Sequence, residues 1–172
     1  MRIVLVGHGG REAALAYRLV RSASCTELVV TGPNPGWPDA AVMRPARGVP
    51  ALVALAMDLD ADLVVCGPEA PLADGLADAL GHEGIPCFGP SRAAALLETS
   101  KAFAKEIMAE AGVPTAGAVV ADLTTDEGRA SARARADRGD VVVKADGLAA
   151  GKGVVVCETA AEAHGALEDL QR

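Results

Sequence analysis

Lys144 and Lys152 bracket a run of small residues in VVVKADGLAAGKGVVV, residues 141–156. Two β-branched runs joined by a glycine-rich segment read as strand, loop, strand. Gly147, Gly151 and Gly153 free the backbone and let an anion come close to main-chain N–H groups. Lys144 ends a run with the apolar signature of burial, and a desolvated ammonium without a partner is costly. A phosphate held between Lys144, Lys152 and the loop amides satisfies both features. A surface hairpin whose lysines reach solvent accounts for the same residues, and the stretch alone leaves both readings open.

Three further stretches carry chemistry-bearing residues. GHGGRE, residues 7–12, begins like a dinucleotide fingerprint, but Glu12 stands at the third glycine position. No acidic residue closes the following strand, where LVVTGPN passes through Thr31 and Gly32, so a nicotinamide-dependent enzyme is disfavoured. Gly9, Gly10 and Arg11 can still hold a phosphate at a helix N-terminus. A tight strand-to-helix turn made by Gly9 and Gly10 explains them equally well. Glu69 lies in CGPEAPL between Pro68 and Pro71, which stiffen the loop. It is either a ligand for an amine or hydroxyl or an exposed loop acid. Lys101 and Lys105 in SKAFAK are four apart, where like charges repel unless an anion is near; a solvated face is the plainer reading. His8 sits in the first loop, in reach of a ligand there. His82 and His164 read as helix-surface residues, and Trp37 as the cap of a core edge.

The elements that position these residues follow from periodicity. Apolar strands over 2–7, 26–32, 61–67 and 85–89 alternate with helices over 11–22, 49–59 and 70–84. That alternation predicts a parallel, doubly wound sheet with ligands outside the carboxyl ends of its strands. GHGGRE, TGPNPGW, GPEAPL and FGPS all fall there. A short helix over 91–98 leads to a connecting helix over 99–114, capped by Thr99 or Ser100 and stopped at Gly112–Pro114. A smaller α+β unit then reads as strand 117–123, helix 125–138, strand 141–146, loop, strand 153–158 and helix 159–170. The boundaries are therefore 1–98, 99–114 and 115–172.

Composition narrows the function. The 172 residues are 51% hydrophobic but only 2% aromatic, so the core must be built from Val, Leu and Ala. A formal net charge of −7 argues against nucleic-acid or anionic-membrane binding, and no apolar run reaches the length of a membrane span. The start of the chain reads as a first strand rather than a signal peptide. Cys25, Cys66, Cys87 and Cys157 are widely spaced, which reads as small thiols of a cytoplasmic protein rather than disulfides or a zinc site.

In combination these motifs are specific. FGPSRAAALLETSKAFAKEIMAEAGVPTA followed by VVVKADGLAAGKGV resembles the glycinamide ribonucleotide synthetase (phosphoribosylamine–glycine ligase) family of the ATP-grasp superfamily. GHGGREAALA and GPEAPLADGL resemble the same family at the expected positions. The resemblance implies a Rossmann-like, pre-ATP-grasp substrate domain followed by an incomplete ATP-grasp lid subdomain. It implies that ATP, glycine and 5-phosphoribosylamine give glycinamide ribonucleotide, ADP and phosphate in de novo purine biosynthesis. It implies that an acyl phosphate of glycine forms first and is then attacked by the phosphoribosylamine amine.

On the ATP side the resemblance points to Lys101, Lys105, Lys144, Gly147, Gly151, Lys152 and Gly153, with Gly147 to Gly153 folding over the phosphates. Gly9, Gly10, Arg11 and Glu69 fall to phosphoribosylamine and glycine. It supplies no general base, and it implies magnesium, or manganese in its place, on ligands outside this sequence. Two positions depart from the family pattern. Ala13 stands where the family has a histidine, and Trp37 where it has a small hydroxyl residue. The family fold continues past residue 172, so the expectation is the first part of such a ligase, inactive alone. A non-catalytic fragment that binds a nucleotide or a complementing chain is the alternative.

Overall fold

The computed structural model describes residues 1–149 and 153–171; Gly151 and Lys152 lie outside the described residues. Two compact units divide the chain, Met1–Leu96 and Leu97–Arg172.

The first unit runs β1 (Arg2–Val6), α1 (Gly10–Leu19), β2 (Glu27–Val30), β3 (Ala41–Met43), α2 (Val49–Asp58), β4 (Leu63–Cys66), α3 (Glu69–Ala73), α4 (Leu76–His82) and β5 (Cys87–Phe88). α5 (Arg92–Thr99) spans the division. The strands form one parallel sheet in the order β3-β2-β1-β4-β5. β1 is central, with Ile3 beside Leu28 on one flank and Leu63 on the other. The order reverses between β1 and β4, so their carboxyl ends define the crevice where such sheets take ligands.

Beyond Arg2 and Glu27, which open β1 and β2, the central strands are apolar because both faces are covered. Val4, Val29 and Val64 pack with Leu52 and Ala56 of α2 and Leu76 and Leu80 of α4 on one face. Ile3, Leu5, Leu28, Val30 and Val65 pack with Ala16 of α1 on the other. The alternation of side chains along each strand sorts the two groups.

Two elements differ from expectation. The helix predicted over 70–84 is broken into α3 and α4 at Gly75, whose φ of +94° lies in the left-handed region. β3 was not anticipated: it is three residues long at the sheet edge, with Val42 and Met43 44% and 50% exposed. It is too short and too wet to leave a periodic signature.

The second unit contains α6 (Lys101–Glu110), α7 (Asp126–Ala136), β6 (Val141–Lys144), β7 (Val154–Cys157) and α8 (Ala160–Asp169). Ser100 caps α6, its hydroxyl accepting from Phe103 N–H at 3.1 Å. Gly112, at φ +65°, turns the chain out of the helix. The strand expected over 117–123 does not form; residues 113–122 are neither helix nor strand. Val119 and Val120 are 51% and 64% exposed, and β-branched residues favour a strand only where a neighbour gives them a surface to pack on.

β6 and β7 pair antiparallel, Val141 opposite Cys157 and Lys144 opposite Val154. Val141, Val143 and Cys157 face Ala136, Ala163 and Ala166 of α7 and α8. The other face carries Val142, Lys144, Val154 and Val156, all exposed. The burial expected at Lys144 is therefore corrected: among the described residues one face of this small sheet is covered, and Lys144 is on the other. Among the described residues, no helix is long and apolar enough to cross a membrane.

Candidate functional site

At the sheet's switch point one buried carboxylate organises two loops. The Glu12 side chain folds back from α1, only 5% exposed, and Oε2 accepts from Gly9 N–H at 2.6 Å. A Cβ on Gly7 would lie 2.8 Å from Glu12 Cγ, one on Gly9 2.9 Å from Oε2, and one on Gly67 would run into the carboxylate. These three glycines lie at the ends of β1 and β4 because the Glu12 side chain needs the space. Gly7 also takes the left-handed turn, at φ +110°. The tight turn expected of Gly9 and Gly10 is thus made two residues earlier. Gly9 N–H is committed to Glu12, which leaves the first-turn amides of Gly10 and Arg11 at the open end of α1. The same carboxylate fills the space in which a dinucleotide fingerprint lets its pyrophosphate approach.

Neighbouring residues fix the loop from the other side. Asn34 Nδ2 donates to the carbonyls of His8 and Gly9 at 2.8 and 3.0 Å, and Gly7 N–H donates to the Thr31 hydroxyl at 3.3 Å. The Trp37 indole N–H donates to the Gly32 carbonyl at 2.8 Å while its ring packs on the core edge. Ala13 borders Gly36, where an added Cβ would lie 3.6 Å from its own.

Arg11 spans the crevice. It donates to the Gly67 carbonyl, and its two terminal nitrogens lie 3.2 and 3.1 Å from Glu69 Oε1. Arg11 thereby joins two stretches that are separate in the sequence, its own Gly9–Gly10–Arg11 and the one that carries Glu69. The backbone N–H at Glu69 itself, and then Arg11, hold its carboxyl below the ordinary value. Burial, with Cys87 and the carboxylates of Glu12 and Glu69 adding to it, pushes the Cys66 thiol up to about 12, so it stays protonated and inert.

In the second unit the ATP-side candidates separate. Lys101 Nζ donates to the Gly147 carbonyl at 2.9 Å, joining α6 to the segment after β6. Gly147, at φ +85°, needs to be glycine for its conformation. Gly153 needs to be glycine for space, since a Cβ there would lie 2.8 Å from that of Ala149; its carbonyl accepts from Ala145 N–H at 2.8 Å. Lys105 turns elsewhere, donating to Thr115 Oγ1 at 2.8 Å and Ala116 O at 2.5 Å, where it secures the chain beyond α6. The i, i+4 spacing therefore does not bring the two ammonium groups onto one partner. His82 and His164 bond to Asp78 O and Asp137 Oδ1 on the surface. Among the described residues, no three of His, Cys, Asp or Glu cluster as a metal site.

Sequence reasoning singled out neither Glu12, as more than a missing glycine, nor Asn34 nor Asp146. Asp146 did carry a signal: an Asp before a glycine, two residues after a strand, is a turn and capping residue.

The comparisons with known proteins agree along the whole chain. A model of the phosphoribosylglycinamide synthetase N domain matches residues 1–98, and one of the ATP-grasp (A) domain matches residues 99–172. The phosphoribosylamine–glycine ligase of Caulobacter vibrioides is 49% identical over 99% of this chain and 40% of its own length. That of Brucella melitensis is 49% identical over 98% of this chain and 39% of its own. The chain thus spans about 40% of the length of these relatives. The crystal structure of phosphoribosylamine–glycine ligase from Thermotoga maritima aligns with a TM-score of 0.73 at 28% identity, over 98% of this chain and 38% of that one. The biotin carboxylase domain of Hydrogenobacter thermophilus 2-oxoglutarate carboxylase shares the fold, with a TM-score of 0.72 at 24% identity over 98% of this chain and 40% of that one. With a pre-ATP-grasp parallel sheet followed by ATP-grasp elements, and family models matched from end to end, this chain belongs to the phosphoribosylglycinamide synthetase family.

Proposed function

We propose that this sequence serves a phosphoribosylamine–glycine ligase of de novo purine synthesis, which joins glycine to 5-phosphoribosylamine at the expense of ATP. Residues 1–98 are assigned to the phosphoribosylamine and glycine side, 99–114 to a connecting helix and 115–172 to the ATP side. The 49% identity to a named ligase across nearly the whole chain supports the reaction. The contact between Lys101 Nζ and the Gly147 carbonyl carries the ATP assignment, because it brings a lysine of one motif onto the glycine-rich stretch of another.

The protein's part in such a reaction is positioning and charge neutralisation around the transferred phosphoryl group. Lys101 and Lys144 supply the charge, with Gly147 and Gly153 shaping the chain around it; Lys105 is assigned a supporting place on α6. Gly151 and Lys152 belong to the same motif but lie outside the described residues. Gly10 and Arg11 offer donors to an anionic group of phosphoribosylamine, Gly9 shapes their loop, and Glu69 offers a carboxylate to an amine. Magnesium, or manganese in its place, belongs with ATP; none of the described residues is assigned as its ligand. The proposed setting is the cytoplasm, with small-molecule substrates and neither nucleic acid nor membrane as partner.

Lys144→Ala in the whole ligase carrying this sequence tests the reading. The expected result is at least a tenfold rise in KM for ATP, or loss of turnover, with the thermal midpoint little changed. Unchanged ATP kinetics with a large fall in thermal midpoint would make Lys144 a structural residue and overturn the ATP assignment.

A further inference from the structure

One carboxylate ties the glycine-rich segment to α6. Asp146 Oδ1 accepts from Lys101 N–H at 2.6 Å and from Ala102 N–H at 3.3 Å, and Oδ2 accepts from the Ser100 hydroxyl at 3.0 Å. A residue more than forty positions away in sequence thus caps the first turn of α6 alongside Ser100, and its negative charge suits that end of the helix. Lys101 answers in the other direction, Nζ to the Gly147 carbonyl at 2.9 Å. Backbone and side chain of one lysine therefore close a ring with two consecutive residues of the loop. Partial burial pushes the Asp146 carboxyl up, but the hydrogen bonds from Ser100, Lys101, Ala102 and Gly147 outweigh it and hold the group below its ordinary value.

This ring does more than finish a helix. A lysine side chain carries several rotatable bonds and loses substantial freedom when held. Once held on a carbonyl, its ammonium still has two N–H donors to offer. The ring fixes those donors beside the segment that leaves Lys144, in the same unit.

We propose that Asp146 is a positioning residue for the ATP phosphates: it locks α6 to the Gly147 turn so that the Lys101 ammonium and Lys144 address one polyphosphate. The proposal rests on the assignment of Lys101 and Lys144 to ATP given above. Asp146 touches no reacting atom; it acts through Lys101.

The test compares four variants of the whole ligase: Asp146→Ala, Asp146→Asn, Lys144→Ala and, as a lost cap elsewhere in the same unit, Thr125→Ala. Thr125 Oγ1 accepts from Gly128 N–H at 3.0 Å at the start of α7. Two quantities are read: the dissociation constant of a non-hydrolysable ATP analogue by calorimetry, without turnover, and KM for ATP and for glycine. Asp146→Ala is expected to weaken analogue binding and raise KM for ATP about tenfold, with KM for glycine within twofold. Asp146→Asn keeps an acceptor oxygen and should recover most of the loss. Thr125→Ala should lower the thermal midpoint and leave ATP binding unchanged. If Asp146→Ala behaves like Thr125→Ala while Lys144→Ala still weakens ATP binding, Asp146 is only a helix cap and the proposal fails alone. If Lys144→Ala leaves ATP binding unchanged, the ATP assignment fails and takes the proposal with it. Should Asp146→Ala not fold, Asp146→Asn decides: a wild-type dissociation constant together with wild-type amide exchange at Lys101 supports the acceptor role. Unchanged binding with lost protection at Lys101 overturns it.

Discussion

Glu69 is held ionised by two neighbours that a titration can separate. Its own backbone N–H is the larger influence and Arg11 the next, and both lower the carboxyl pKa. A group depressed in the folded state contributes stability that is present above its unfolded pKa and is lost as pH falls through its folded one. Both side chains are well exposed, so the contribution to stability is small and the titration itself is the useful readout. The Glu69 carboxyl followed by NMR should titrate below the ordinary glutamate value of about 4.3. In Arg11→Ala the midpoint should rise part of the way and no further, because the backbone donor remains. A wild-type midpoint at or above the ordinary value would remove the ion pair from the site. At this scale the sequence was half legible. Residue type and loop position marked Arg11 and Glu69, and the parallel topology then implied that the two loops are neighbours. Glu12 was visible only as a glycine that was not there. That its side chain folds back beneath Gly7, Gly9 and Gly67 depends on a long-range packing that no local spacing encodes.

At the scale of elements, packing at the ends of β1 and β4 is tight enough to be measured. Gly67→Ala forces a methyl group against a buried carboxylate and should cost about 1–3 kcal/mol, the usual penalty for overpacking. Leu80 is fully buried between α4 and the sheet, and Leu80→Ala should cost about 2–5 kcal/mol. Urea unfolding of both variants checks the pair; a loss below about 0.5 kcal/mol at Gly67, an ordinary surface effect, would mean that Glu12 readily swings aside. The elements themselves were legible wherever the core enforces a period. β1, β2 and β4 announce themselves as unbroken apolar runs because helices cover both faces of the sheet. The signal fails where burial fails. β3 is an exposed edge of three residues, and the valines at 119 and 120 have the composition of a strand without its partner. Gly75 shows a different limit: a glycine within a helical pattern is tolerated or breaks the helix, and only its φ decides.

At the scale of the molecule, the two units differ in how securely their backbone is held. The stretch 113–122 has no regular structure, and nearly every residue in it is exposed. Limited proteolysis should cut there first and release an N-terminal piece that resists further digestion. Early loss of that piece, with residues 123–171 surviving, would reverse the ranking. The strand order β3-β2-β1-β4-β5 also sets a schedule for synthesis. The central strand precedes both of its neighbours along the chain, at residues 27–30 and 63–66. At about 5–20 residues per second, Ile3 to Val6 wait on the order of 3–12 s for the second flank. Throughout that interval the apolar run Ile3 to Val6 has an open edge, the form in which strands pair with the wrong partner. How long that edge stays open is therefore set by which strand sits in the middle of the sheet.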